Sequence, residues 1–323
     1  MLIDSTAGHN RSRILLRVAI LSLIAHAVLS AFSAFAFATF LSPPAPAWLN
    51  TPTNARALAF GFTWGGQSTV MLGAIAGWAF LAWAIGIGRA SLVFAASFVL
   101  SLASELAGTS TGFPFGEYGY TTRLGYLIGG LVPFNIPTSW FYMLVASLAI
   151  CGRLLDARDD NRSRWWWSLV AALVLTAWDV SMDPAMVKTA HWLWKLPDLS
   201  NAHPIAQFIG SDFFFGMPLT NWLGWLLTGI LVSRVMLQLV PPSTWARAVS
   251  PHDFPLVLYA VNGLLPIAIC FRQDMVPAGV LGTIAMGIPL LLAVRRRSSL
   301  NYARVPAAAS PMSATSGAFA PPR

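Results

Sequence analysis

An all-α, polytopic membrane bundle of about eight transmembrane helices is the fold this sequence predicts, on three observations. Its 323 residues are 56% hydrophobic and only 10% charged, with mean hydropathy +0.63, against roughly 25% charged in an ordinary soluble domain. Apolar runs of the length a bilayer requires, about 20 residues, recur along the chain between charges and Pro/Gly breaks. The basic residues crowd onto alternate connections. A water-soluble enzyme, a disordered chain and a DNA-binding domain are excluded, because none could hide this much apolar surface.

The runs are Ile14–Phe40, Trp64–Ile87, Ser91–Leu106, Leu127–Cys151, Trp166–Val180, Phe214–Leu239, Phe254–Phe271 and Val276–Val294. The first follows Arg11 and Arg13, and small residues near Ala34–Ala38 offer a signal-peptide cleavage site. From Val18 to Phe40, however, it exceeds the usual core of about 7–15 residues, so it is read as an uncleaved helix. Ser91–Leu106 is short, and Leu127–Cys151 contains Pro133 and Pro137. The expected organisation is a cytoplasmic N-terminus (1–13), one transmembrane domain (14–294) with a motif-bearing core near 100–230, and a basic, then disordered cytoplasmic tail (295–323). Cys151 and Cys270 end apolar runs and fit neither a disulfide framework nor a metal spacing.

Net charge is +8, which could suggest nucleic acid, but the placement of the charges reads as topology. With a cytoplasmic N-terminus, fifteen of the 20 basic residues fall on the cytoplasmic side, and only Arg56, Arg123, Lys188, Lys195 and Arg272 on the other. Basic residues near helix ends resist translocation, so both termini are expected inside a cell membrane, a bacterial inner membrane being the natural setting.

Ionisable side chains inside apolar spans are expensive and mark function. Glu105 lies in SLASELAG (101–108), and Asp179 and Asp183 in TAWDVSMDP (176–184). The four-residue spacing would put both aspartates on one helix face, with Pro184 ending the helix. At about 1.5 Å rise per residue, Glu105 lies roughly 21 Å from Ser91 and Asp179 roughly 20 Å from Trp166. Glu105 and Asp179 therefore share a depth in the non-cytoplasmic half, with Asp183 one turn beyond. The same face holds the stretch TGFPFGEYGYTTRLG (111–125), with Phe113, Phe115, Tyr118 and Tyr120, and VPFNIPTSW (132–140), ending in Trp140. Irregular backbone at membrane depth survives where it lines a cavity, so a re-entrant aromatic segment is expected. Trp192 and Trp194 in HWLWKLP (191–197), and Asn221, Trp222 and Trp225 in GMPLTNWLGW (216–225), emerge on that side too.

The strings ELAGTSTGFPFGEYGYTTRLG (105–125), VPFNIPTSW (132–140), WDVSMDPAMVKTAHWLW (178–194) and GMPLTNWLGW (216–225) resemble a membrane-bound carotenoid biosynthesis family that includes carotenoid 1,2-hydratases and bisanhydrobacterioruberin hydratase. The resemblance covers roughly residues 100–230. It implies cofactor-free addition of water to the terminal double bond of a linear carotenoid, giving a tertiary alcohol. Membrane lipid and other carotenoid-pathway enzymes are the further partners expected, and the placement of the charges leaves no nucleic-acid partner.

The chemistry can be reasoned alongside. Protonating the less substituted carbon of a trisubstituted alkene gives a tertiary cation that water captures. Because an alkene is a very weak base, the acid must be a carboxyl kept neutral in an apolar site, and aromatic faces stabilise the cation. Asp179 or Asp183 is the expected acid and Glu105 the water-orienting partner, with the assignments exchangeable. Trp178, Phe113, Tyr118, Trp192, Trp194 and Trp222 are the expected cation walls, and Phe115, Tyr120, Trp140, Asn221 and Trp225 further substrate contacts.

Three other readings compete. An iron hydroxylase would need many His, but His9, His26, His191, His203 and His252 show no HxxxH or HxxH spacing, so no metal site is expected. A membrane carotenoid cyclase or isomerase would share the protonation step and admit no water. A proton-coupled transporter would also use buried carboxyls, though at the midplane rather than toward one face.

Overall fold

Long apolar stretches bounded by caps and left-handed glycines set the helices of this chain. The computed structural model describes residues 3–41 and 46–304, and the tail beyond Arg304, expected to be disordered, lies outside the described residues. Helix α1 runs Ile3–Thr39, unbroken through Ala34–Ala38. After a short 3₁₀ turn (Ala47–Asn50), α2 spans Pro52–Ile85. Thr51 caps it by accepting from Asn54 N, and Pro52 occupies the first turn, where its missing N–H costs nothing. Gly86, at φ +94°, breaks the chain into α3, Ile87–Thr111, and Gly112, at φ +79°, ends α3 in a left-handed cap.

Helix α4 is Asn135–Leu154 and α5 Asn161–Lys188, the latter capped by Asp160, which accepts from Ser163 N at 2.7 Å. A short α6 (Pro204–Gly210) precedes α7 (Leu219–Leu239). The turn α8 (Pro242–Thr244) runs into a π-helical turn, Trp245–Val249, and α9 (Phe254–Arg272) and α10 (Val276–Arg304) follow. Among the described residues, eight helices are long and apolar enough to cross a membrane, as expected.

Several boundaries differ from expectation. The span expected at Leu127–Cys151 begins only at Asn135, because Leu127–Ile128 (β2) and Val132–Pro133 (β3) pair as a small antiparallel hairpin. Pro137 then sits in the first turn of α4, where no intrahelical N–H is missed. Pro184 does not end α5, which continues to Lys188; neighbouring packing lets a membrane helix carry an internal proline. The spans expected at Ser91–Leu106 and Trp166–Val180 are correspondingly longer, and α10 carries the basic stretch beyond Val294 as helix. The aromatic stretch after α3, expected as a re-entrant segment, takes the form of a strand, β1 (Tyr118–Tyr120). It pairs antiparallel with β4 (Trp192–Trp194) across the end of the bundle.

Helix α4 is the axis of the bundle, 89% buried in its apolar window against 22% for α1 and 28% for both α3 and α10. A helix buried all round is surrounded by others, and α1, α3 and α10 form the periphery. At one end, Arg153 of α4 donates to Ser250 O (2.6 Å) and His252 O (2.8 Å) and pairs with Asp253 (3.0 Å). Arg296 of α10 reaches Leu154 O there, and Phe80 stacks on Phe254 at 4.4 Å. Buried Cys151 and Cys270 are both free thiols. The opposite end holds the two small sheets and the carboxyls.

Candidate active site

Strand geometry builds the cap over the site. In β1 alternate residues share a face, so Tyr118 and Tyr120 turn inward while Gly119 turns out; in β4, Trp192 and Trp194 turn inward and Leu193 outward, 53% exposed. The register sets Tyr118 opposite Trp194 and Tyr120 opposite Trp192. The ring centroids of these pairs are 4.9 and 5.7 Å apart, giving a four-ring floor over the helix ends. Lys195 N donates to Glu117 O, and Thr121 N to His191 O, fixing the ladder at both ends.

Glu105 rises beneath this floor from the last turns of α3, 3% exposed. Its Oε2 accepts from both the Tyr118 hydroxyl, in a short bond, and the Tyr120 hydroxyl (2.8 Å), and its Oε1 from Trp140 Nε1 (3.1 Å). Burial, and then the Glu105 charge beside them, hold both phenols well above the usual tyrosine range, so they serve as donors at neutral pH. Glu105 is thus placed as a hydrogen-bond acceptor three times over.

Asp179 and Asp183 lie on one face of α5, as their spacing predicts, 0% and 2% exposed. Asn221, in the first turn of α7, bridges them: its Nδ2 donates to Asp179 Oδ2 (3.1 Å) and, in a short bond, to Asp183 Oδ2. Met217 Sδ is a third acceptor at 3.3 Å, although an amide has only two hydrogens to give. Asp179 Oδ1 is buried, and the group nearest to serving it among the described residues is the equally buried indole N–H of Trp222.

Glu105, Asp183 and Asn221 line one cavity with Phe115, Tyr118, Tyr120, Trp140, Trp178, Trp192, Trp194 and Trp225. Its free volume is about 50 Å³, and a water needs roughly 10–15 Å³ of such room. Trp140 and Trp225 stack at 4.5 Å, and Trp178 meets Trp225 edge-on at 5.9 Å. Phe115 packs where α3 and α7 present Gly108 and Gly224, each of which leaves no space for a side chain beside its ring.

At Ile136, Ser139, Trp178, Met182 and Trp192 the cavity joins a larger groove of about 450 Å³, walled chiefly by apolar residues of α1, α2, α5 and α9. Arg123 and His191 also line it. Burial holds the His191 imidazole down at about 4, with the Arg123 charge adding to the effect, so this side chain is neutral at physiological pH.

Two expected aromatic residues do not line the cavity. Phe113 is 70% exposed, because the chain turns outward after the Gly112 cap. Trp222 is half-buried and packs against Phe213 and Phe214 rather than lining the cavity, but its indole N–H is directed at the Asp179 carboxyl, so it meets the site from behind the aspartate pair. Asp179 reaches the site through Asn221. Ile136, Ser139 and Met182, at the junction, were not singled out from the sequence, and nothing in their types marks them. Asn262 is not singled out from the sequence either, and His26 is weighed there only as a metal ligand, although a polar residue inside an apolar span is the same signal that flagged Asn221. Among the described residues, no group of three His, Cys, Asp or Glu is placed to hold a metal ion.

Residues 65–289 match the family described as "Carotenoid biosynthesis protein". Over 141 residues the chain is 30% identical to the bisanhydrobacterioruberin hydratase of Haloarcula japonica, a match that takes in 44% of this chain. The chain spans 42% of the length of that curated relative. No solved structure matches it. With more than two thirds of its length inside the family match, the chain belongs to the carotenoid biosynthesis protein family.

Proposed function

We propose that the protein is a membrane hydratase that adds water to the terminal double bond of a linear carotenoid. One observation carries this reading: a water-sized cavity lined by carboxyls adjoins, at a junction that includes Trp178 and Trp192, an apolar groove. On this reading a long polyene lies along the groove with its end group at the junction. A transporter would need a path out of the other half of the bundle, whereas the buried acids here gather at one end.

Asp179 and Asp183 share a single amide donor, and two carboxyls so close are best served by carrying one proton between them. That proton goes to the CH carbon of the terminal trisubstituted alkene, and its π pair forms the new C–H bond. The tertiary cation left on the neighbouring carbon faces the indole of Trp178, with the stacked Trp140–Trp225 pair beside it, and the negative aromatic face stabilises it without capturing it. Water held at Glu105 adds through oxygen, and Glu105, already an acceptor, takes the released proton. The proton returns across the cavity to the aspartate pair, so the net change is addition of one water.

The basic end would face the cytoplasm, leaving groove and cavity in the outer half of the membrane. Expression in a host that accumulates a linear carotenoid tests the reading. Pigments gaining the mass of one water support it, and Asp183→Asn at equal expression should abolish the gain. Rearranged pigment of unchanged mass would mean a cyclase or isomerase, and unaltered pigment would remove the enzymatic reading.

A further inference from the structure

Trp178, which lines both cavity and groove, is held from an unexpected direction. Its Nε1–H donates at 2.9 Å to the backbone carbonyl of Asn262, in the middle of α9. A carbonyl inside a helix is normally taken by the N–H four residues on. Here that residue is Pro266, which has no N–H. The proline therefore frees an acceptor inside the apolar bundle, where an unpaired carbonyl is costly, and Trp178 takes it.

The Asn262 side chain is clamped in turn. Its Oδ1 accepts from the Tyr142 hydroxyl (3.2 Å), and its Nδ2 donates to Leu258 O (2.7 Å) and faces His26 Nε2 at 3.2 Å. His26 Nδ1 lies 2.8 Å from Thr69 O. A carbonyl can only accept, so the imidazole proton sits on Nδ1 and Nε2 accepts from Asn262. Gly73 leaves room for this meeting, since a Cβ there would lie 3.2 Å from both His26 and Tyr142. Five spans thus converge on one asparagine whose carbonyl fixes one indole.

We infer that Pro266 and Asn262 are positioning residues that set the face of Trp178 toward the carbocation. The inference rests on the hydratase reading above. Replacing Pro266 by alanine supplies an N–H that takes the Asn262 carbonyl back into α9. The indole then loses its anchor while every cavity residue stays in place and the helix gains a bond.

A double-mutant cycle of Pro266→Ala and Trp178→Phe tests it, in membranes supplied with a linear carotenoid. Three quantities are read: kcat, KM and the thermal midpoint of the detergent-purified protein. Losing a hydrogen bond that holds a catalytic geometry corresponds to about tenfold in rate. Pro266→Ala should therefore lower kcat about tenfold, with KM within about threefold and the midpoint not lowered. Trp178→Phe should do the same, and the double variant should be no slower than the slower single one.

Losses that multiply in the double variant would overturn the inference, as would an unaffected Pro266→Ala or a kcat loss accompanied by a fall in midpoint. If Pro266→Ala accumulates poorly, Tyr142→Phe, which removes one bond to the clamp, should show the same non-additivity with Trp178→Phe. A wild-type protein that forms no alcohol would instead overturn the hydratase reading itself.

Discussion

Removing the Tyr118 hydroxyl separates the two halves of the proposed reaction. Tyr118→Phe keeps the ring that packs on Trp194 (4.9 Å), Tyr120 (5.4 Å) and Phe115 (6.0 Å), but deletes one of three hydrogen bonds to Glu105. With Glu105 as the carboxylate that the proposed mechanism requires, a hydrogen bond to it contributes about 1.5–3 kcal/mol. Since Tyr120 still donates to the same oxygen, the low end applies, about 1.5 kcal/mol, or roughly tenfold in rate. The loss should fall on water capture, where Glu105 acts, and spare protonation by the aspartate pair. The assay runs membranes in D₂O and follows alcohol formation by mass alongside deuterium entering the recovered, unhydrated carotenoid. Alcohol formation should drop roughly tenfold while deuterium entry persists. An equal fall in both, or no fall in alcohol, would refute the division of roles between Glu105 and the aspartates.

Three further outcomes follow from particular contacts. Gly224→Ala would put a methyl against the Phe115 ring and within 3.0 Å of its Cα; overpacking of this kind costs about 1–3 kcal/mol, so thermal melting should show a lower midpoint and pigment analysis a slower conversion. Gly65 lines the groove, and nothing stands within 4 Å of a Cβ added there. Gly65→Leu should leave the midpoint unchanged or raised, since glycine is a poor helix former, yet cut kcat/KM for a full-length carotenoid at least about tenfold. For His191 the folded value of about 4 lies below the ordinary 6.5, so the unfolded chain binds the extra proton first as pH falls. Stability is therefore lost from about pH 7 down to about 4 and levels off below that. His191→Gln should show a shallower decline of melting midpoint between pH 7 and 5 than wild type, and a parallel decline would contradict the assignment.

Much of the bundle was legible because a bilayer imposes one length and one composition on every span, and because an acid inside a span stands out against that background. Glu105, Asp179 and Asp183 declared themselves in this way, and the four-residue spacing correctly put both aspartates on one face. Prolines misled where packing outweighs local preference: Pro184 reads as a terminus, yet α5 continues through it, and Pro137 reads as a break although it falls in the tolerant first turn of α4. The strand pair was hidden because two three-residue strands about 70 residues apart carry no periodic signal. Phe113 and Trp222 were indistinguishable by type from Phe115 and Trp225; which aromatic lines the cavity depends on the Gly112 turn and on where each side chain falls around α7. Asn262 was readable in principle, as an asparagine in an apolar run four residues before a proline.

The central claim, that water rather than dioxygen or rearrangement supplies the chemistry, is tested by incubating membranes containing the protein with a linear carotenoid in ¹⁸O-labelled water under air. The account predicts a tertiary alcohol carrying one heavy oxygen, formed by the wild type and absent with Asp183→Asn. An alcohol carrying only light oxygen, or a rearranged carotenoid with no added oxygen, would contradict it.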